Sequence, residues 1–317
     1  MEYQKIIEQL EKKDSTILSF PDRGPWGDPS YQGNCSGWVQ AFLIWKYRVQ
    51  KFAELFSGSG TGYDVAKDMN VSYIGADLNP VPVRPGILSL DAFSDDVPES
   101  FSHADFLFMH PPYGAEIHIP YAGFQYPDST GDLSKKDLGQ MEWKTFIQAF
   151  NHILMKYYAA MPSGSRLGVL VGDVRRNGHF YSMFQDMVKV GDLEQILVKR
   201  QFHVRSAGRT YMNKQFVPIE HEFLLVMKKI GAYLLSFQLP KDYQLDIRDS
   251  MDATWRDVVF SVLKKLSKKA KLSEIYREIE GYKKAQLNPH WKEKVRQTLQ
   301  KYDSFRSVER GIWQLAS

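Results

Sequence analysis

Short apolar runs at residues 52–56, 73–76, 106–109, 167–171, 196–198 and 223–227 alternate with longer segments of helical spacing, notably 141–160 and 179–188. No other feature narrows the fold of this chain as far. Strands alternating with helices argue for a parallel α/β sheet with helices on both faces. Ligands of such sheets bind outside the carboxyl ends of the strands, so chemistry is expected in the residues that follow each run.

Around residues 231–252 the alternation loosens, and a second unit begins. Helical spacing over 254–266, 272–280 and 290–302 is followed by 304-SFRSVERGIWQLA-316, a hairpin about a Glu-Arg-Gly turn. Three helices and a hairpin describe a winged helix, a variant of the helix-turn-helix group. The expected division is a larger α/β domain over 1–245 and a small winged-helix domain over 251–317. With 317 residues, 43% apolar and 25% charged, the chain has room for one sizeable core and a satellite.

The net charge of +4 is unevenly placed, because residues 251–317 hold 15 Lys+Arg against 8 Asp+Glu, leaving 26 against 29 elsewhere. A basic appendage on a near-neutral body fits a polyanion partner, most simply nucleic acid, as well as it fits a solvated lysine-rich face. The single cysteine, Cys35, excludes a disulfide framework within one chain and suits a reducing cytosol. Ile6, Ile7 and Leu10 stand at helical spacing among charges, and no long apolar run follows. Neither a signal peptide nor a membrane span is expected, and the expected location is cytoplasmic.

The first chemical motif is 54-ELFSGSGTG-62. Gly58, Gly60 and Gly62 permit a tight turn and close backbone approach, and the helix start that follows offers N–H groups to a polar ligand. Alone, such a turn is more often plain structure. About 20 residues on, 73-YIGADLNP-80 ends a run in Asp77, placed to take both hydroxyls of a ribose. Dinucleotide fingerprints want G-x-G-x-x-G, whereas here Glu54 precedes the glycines. An acid at that strand end suits a cofactor with a cationic amino group. Asp91, in 88-LSLDAFSD-95, is a candidate for an adenine amino group, the alternative being an ordinary loop aspartate.

Glu54, Phe56, Gly58, Gly60, Asp77 and Asp91, followed by 110-HPPY-113 after the fourth strand, form a set. It resembles the S-adenosylmethionine-dependent amino-methyltransferases that modify exocyclic amines of DNA bases, in their gamma motif order. The H-P-P-Y signature is similar to that of a group of bacterial and phage DNA methylases. The resemblance implies a Rossmann-like methyltransferase sheet, S-adenosylmethionine held by the first six residues, and DNA as substrate. It also implies that the His110 side chain and the Pro111 carbonyl accept hydrogen bonds from the target NH2. Pro112 holds that turn, and Tyr113 stacks on a flipped-out base. The chemistry is coherent, because an aromatic amine delocalises its lone pair and is a poor nucleophile. Two acceptors aimed at its hydrogens favour a pyramidal nitrogen and return the lone pair for in-line attack on a sulfonium methyl.

The family pattern has Asp, Asn or Ser where this chain has His110. Histidine offers one ring nitrogen as acceptor, and only when neutral. Three readings stay open: a neutral imidazole replaces the usual oxygen, the site serves an unusual substrate, or the protein is a binding-only relic. Two further stretches share the resemblance: 218-PIEHEFLLVMKK-229 with the last sheet strand, and 21-PDRGPWGDPSYQGNCSGW-38 with the segment that closes over the methionine end of the cofactor. In the latter, Arg23, Trp26 and Asn34 either contact cofactor or DNA or scaffold the turns.

Residues 114–141 are too long for a routine connector and are expected to close over the flipped base. In 199-KRQFHVRSAGRTYMNKQF-216, Lys199, Arg200, Arg205 and Arg209 interleave with aromatics, which suits phosphates and unstacked bases. Lys292, Lys294 and Arg296 stand on the exposed side of the candidate recognition helix, and Arg306 and Arg310 on the hairpin suit backbone or minor groove. The scattered His118, His179 and His203 lack ligand spacing, and no metal site is expected. The expected activity is therefore methyl transfer to DNA, adenine N6 first and cytosine N4 next. The alternative is a non-catalytic DNA-binding subunit that retains the cofactor fold, and RNA base methylation is third. No nuclease motif is evident, so any restriction partner is expected on a separate chain.

Overall fold

The computed structural model describes residues 1–116, 119, 121–202, 216–230, 237–238, 246–250 and 253–316. Its contacts divide the chain into Met1–Pro240 and Lys241–Ser317. The first unit comprises α1 (Tyr3–Leu10), β1 (Ile17–Leu18), α2 (Gly37–Lys46), β2 (Lys51–Leu55), α3 (Thr61–Asp68), β3 (Ser72–Asp77), β4 (Ile87–Ser89) and β5 (Phe106–Met109). It continues with α4 (Trp143–Ala160), β6 (Arg166–Arg176), β7 (His179–Ser182), α5 (Met183–Asp186), β8 (Lys189–Val190), β9 (Asp192–Arg200), β10 (His221–Lys228) and β11 (Phe237–Gln238).

The main sheet has the order β1-β9-β10-β6-β5-β2-β3-β4, with β7 hydrogen-bonded to β6. Strands β2 to β6 run parallel, whereas β10 is antiparallel to both β6 and β9. This is a mixed α/β, mainly parallel, Rossmann-like architecture, and the antiparallel β10 departs from the all-parallel expectation. Its register sets Glu222 opposite both Gly172 of β6 and Lys199 of β9.

Both faces of the sheet are buried, which is why its strands read as continuous apolar runs. Alternate residues point to opposite sides. Leu107 and Met109 of β5, with Val169 and Val171 of β6, join Phe146, Phe150 and Ile153 of α4 in one core. Phe106 and Phe108, with Leu224 and Val226 of β10, pack on the other side against Val39, Phe42 and Leu43 of α2 and Val65 of α3.

One expected helix is corrected. Over 179–188 only α5 is helical; β6 runs to Arg176 and returns as β7. Asn177 (φ 49°) and Gly178 (φ 79°) form the intervening turn, both in the left-handed region that a two-residue hairpin with the right twist requires.

The second unit contains α6 (Trp255–Lys265), β12 (Lys269–Lys271), α7 (Leu272–Ile279), α8 (Lys283–Gln286), α9 (Trp291–Lys301), β13 (Phe305–Glu309) and β14 (Ile312–Leu315). Thr254 caps α6 by accepting the Asp257 N–H. Strands β12, β14 and β13 make an antiparallel sheet in that order. Val258, Val262, Ile275, Val295, Leu299 and Phe305 meet in the unit's own core. Among the described residues no helix is long and apolar enough to cross a membrane.

Candidate active site

Strand order reverses between β2 and β5, whose last residues Leu55 and Met109 lie side by side in register. That reversal opens a crevice at their carboxyl ends. Just past β2 the chain turns sharply. Phe56 (φ 62°) is a non-glycine residue in the left-handed region, a conformation that recurs at ligand sites. Gly60 (φ 79°) is the N-cap of α3.

The crevice is a concave site open to solvent, lined by residues of the β2, β3 and β5 ends and of the segments that flank them. Glu54, Phe56, Gly58, Asp77 and Asp91 all line it, whereas Gly60 serves the turn behind them. Glu54 is 3% exposed; the Tyr73 hydroxyl donates to its Oε2 at 2.7 Å, and the Gln40 amide donates to Oε1. A Cβ on Gly62 would stand 2.3 Å from Glu54 Oε2, so only glycine lets α3 start against the carboxylate. Burial pushes Glu54 up to about 8, against the opposing effect of its hydrogen bonds from Tyr73 and Gln40. Gln40 Oε1 is itself buried without a partner among the described residues. A dehydrated carboxyl beside an unmet acceptor fits a cationic amine, which would hold the carboxylate ionised.

Asp77 supplies the other end. Its Oδ2 accepts the Gly58 N–H at 2.8 Å and its Oδ1 the Asn79 N–H at 2.9 Å, which leaves each oxygen a lone pair for a vicinal diol. Burial raises this carboxyl, and those two N–H groups oppose the rise. Asp91 is differently engaged. Its Oδ1 accepts the Phe93 N–H at 3.0 Å and its Oδ2 the Ser94 hydroxyl at 2.7 Å, with the Lys136 ammonium at 3.5 Å. It lines the crevice, but its oxygens already serve its own turn.

The long segment after β5 folds over this same crevice. Asp137, 2% exposed, accepts the N–H groups of Tyr121 (2.8 Å), Ala122 (3.0 Å) and Gly139 (2.8 Å). That brings Tyr121, Tyr126 and Leu138 onto the crevice, with Tyr121 packed 6.1 Å from Tyr31 on the opposite wall. Sequence reading placed this segment over the base alone, and it missed Tyr31, Gln40, Tyr121, Tyr126 and Asp137. Only the length of the segment hinted at a lid.

His110 lines both this crevice and a second cleft, which also meets Pro111, Tyr113, Asp173, Lys199 and Glu222; Pro112 lines the first. Among the described residues nothing donates to the Pro111 carbonyl. His110 Nε2 lies 3.0 Å from Tyr113 Oη, and the Tyr113 hydroxyl donates to Glu222 Oε1 at 2.8 Å. Glu222 Oε2 accepts from the Lys199 ammonium, its cross-strand neighbour between β10 and β9. Burial raises Glu222, but Lys199 first and His110 second hold it well below the usual carboxylate range. Burial likewise works against charge on Lys199, and Glu222 raises it above the ordinary lysine value.

Lys199, expected on DNA, is thus a 13% exposed partner of Glu222 and not a surface cation. Arg200 is exposed beside Phe202, at 5.0 Å from its ring, while Arg205 and Arg209 lie outside the described residues. Lys292, Lys294, Arg296, Arg306 and Arg310 are exposed on the second unit, Arg296 paired with Glu293 at 3.0 Å. The N-terminal turns scaffold the crevice: Trp26 is 4% exposed and donates its indole N–H to Asp68 at 2.8 Å, and Arg23 donates to the Asn34 carbonyl. Asn34 itself lines both clefts.

No family model and no curated protein matches this chain. Among solved structures it is similar to TrmN from Thermus thermophilus, at 14% identity and a TM-score of 0.38, over 63% of this chain and half of TrmN. It is also similar to a 1,6-didemethyltoxoflavin-N1-methyltransferase from Burkholderia thailandensis, solved with 1,6-didemethyltoxoflavin and S-adenosylhomocysteine (11% identity, TM-score 0.35, 61% and 77% of the two chains). A third likeness is to a SAM-dependent methyltransferase from Archaeoglobus fulgidus (11% identity, TM-score 0.31, 60% and 93%).

Proposed function

We propose that this protein transfers a methyl group from S-adenosylmethionine to the exocyclic amine of a DNA base, adenine N6 in preference to cytosine N4. The observation that carries this reading is the position of His110, which stands before Pro111-Pro112-Tyr113 and lines two adjoining clefts at once. In the first cleft, Glu54 and Gln40 would hold the cofactor's amino group and Asp77 its ribose. Bound there, the cofactor supplies an electrophilic methyl. The second cleft takes the base, with His110 and the Pro111 carbonyl as acceptors for the amine hydrogens and the Tyr113 ring beside it. The task of these groups is geometric and electrostatic, returning a delocalised lone pair to nitrogen.

The second unit is proposed as a winged-helix recognition domain. Its support is the order of helices and strands and the exposed cations of α9 and the β13–β14 hairpin. Charge reversal of Lys292, Lys294 and Arg296 together is expected to weaken DNA binding, and to reduce its salt dependence by about one unit of slope for each phosphate no longer neutralised. A titration with unchanged affinity and slope would remove α9 from the interface.

The direct test is mass spectrometry of nucleosides after incubating DNA with the protein and labelled S-adenosylmethionine. Labelled N6-methyladenine is the expected product, and labelled N4-methylcytosine would reassign the target. Intact cofactor binding with no methylated DNA base, or label in RNA only, would overturn the DNA methyltransferase reading.

A further inference from the structure

We propose that Glu222, acting through the Tyr113 hydroxyl, fixes His110 as the tautomer with its proton on Nε2, leaving Nδ1 as the acceptor for the substrate amine, and that Lys199 holds the Glu222 carboxylate in place for this. The proposal deepens the methyltransferase reading and rests on it for the identity of the amine. The proton inventory leads to the tautomer. An ionised carboxylate only accepts, so the short contact between Tyr113 Oη and Glu222 Oε1, 2.8 Å, uses the single phenolic proton. Tyr113 Oη then has only lone pairs left for His110 Nε2 at 3.0 Å, and the bond between them requires a proton on Nε2. A neutral imidazole protonated on Nε2 has a bare Nδ1. That nitrogen replaces the oxygen that Asp, Asn or Ser would offer before the two prolines.

Lys199 has the remaining task. Glu222 Oε1 also lies 3.6 Å from His110 Nε2, so the carboxylate faces the edge of the ring that carries the proton. The Lys199 ammonium occupies Oε2 and leaves Oε1 to the Tyr113 hydroxyl. Cys35 and Arg23 also face Lys199, and the buried thiol, pushed up to about 12 by burial, adds no charge near neutrality. Glu222 and Lys199 reach the amine only through the Tyr113 hydroxyl and His110 in this scheme and are positioning residues, while the Tyr113 ring lies beside the base. The arrangement needs three strands at once, because His110 follows β5 while Glu222 and Lys199 are brought together by the β10–β9 register.

The test begins on the unaltered protein with nitrogen-15 NMR of labelled histidine, the His110 signals being those lost in His110→Asn. Near neutral pH, one protonated and one bare nitrogen with the proton on Nε2 is the expected spectrum; a proton on Nδ1, or an imidazolium, would overturn the proposal. Tyr113→Phe is expected to produce a mixture of tautomers, and a single Nε2–H tautomer in that variant would overturn the relay through the phenol. The same spectrum then tests the pair. Glu222→Gln, whose amide can also donate, and Lys199→Gln are each expected to give a mixture of tautomers, whereas Lys199→Arg should keep the Nε2–H form. A single Nε2–H tautomer in all three variants would overturn the roles of Glu222 and Lys199. A wild type with the stated tautomer and no methylated product on any DNA base would instead count against the proposed activity, which keeps the two failures apart.

Discussion

Replacing His110 with alanine is expected to lower the single-turnover rate of methyl transfer by about 10²–10³, the cost of removing one well-placed hydrogen-bonding group from a reacting centre. Cofactor affinity should change by no more than about twofold, because Glu54, Gln40 and Asp77, proposed to hold the cofactor's two ends, make no hydrogen bond to this side chain although it lines the same crevice. Stability should change little as well. The Tyr113 hydroxyl keeps its bond to Glu222, and Glu222 keeps Lys199, so no buried charge is left without a partner. His110→Asn, which restores an amide oxygen, should recover part of the rate. A His110→Ala enzyme with wild-type turnover would show that the acceptor lies elsewhere. One that loses cofactor binding in step with rate would make His110 part of the cofactor site.

Glu54→Gln should separate stability from binding. The carboxyl has an ordinary value of 4.5 and is pushed up to about 8 by burial. A folded-state value above the unfolded one means that the stabilising form is the protonated one. This contribution is fully present below about pH 4.5 and is lost as pH rises through about 8, on the order of a few kcal/mol at most. Glutamine is neutral throughout. It keeps an acceptor for Tyr73, and its NH2 group meets the Gln40 oxygen once the Gln40 amide, which now donates to Oε1, turns over. The variant without ligand is therefore expected to melt several degrees above the wild type near pH 9, with the difference shrinking toward pH 5. Its affinity for S-adenosylmethionine should fall by roughly 10- to 100-fold, the worth of one charge-assisted hydrogen bond. Binding to the wild type near pH 7 should release a proton, read by calorimetry in buffers of different ionisation heat. Equal melting differences at both pH values, or unchanged affinity, would contradict this account of Glu54.

These two residues also show what can be read before folding. Glu54 lies within a short apolar run and His110 follows one, each just before a stretch rich in glycine or proline, and both signals are local. Asp77 is legible for the same reason. Asp91 shows where such reading stops, because it lines the same crevice while also accepting from its own neighbours Phe93 and Ser94, and no motif distinguishes a ligand aspartate from a turn aspartate.

Taken by itself, the sequence determined the alternation that yields a two-sided α/β sheet, the turns at the ends of β2 and β5, and a basic C-terminal unit of helices and a hairpin. Each depends on residues within a few positions of one another, through backbone conformation and side-chain period. Tertiary structure alone decided that β10 runs antiparallel, that Gln40 and Tyr73 meet Glu54, and that Glu222 stands 109 positions beyond Tyr113 yet shares its proton. It also set Lys199, a candidate phosphate contact, against the buried Glu222 carboxylate. The reason is physical: which residues of distant strands face one another depends on register and burial across the whole sheet, and no local period encodes that register.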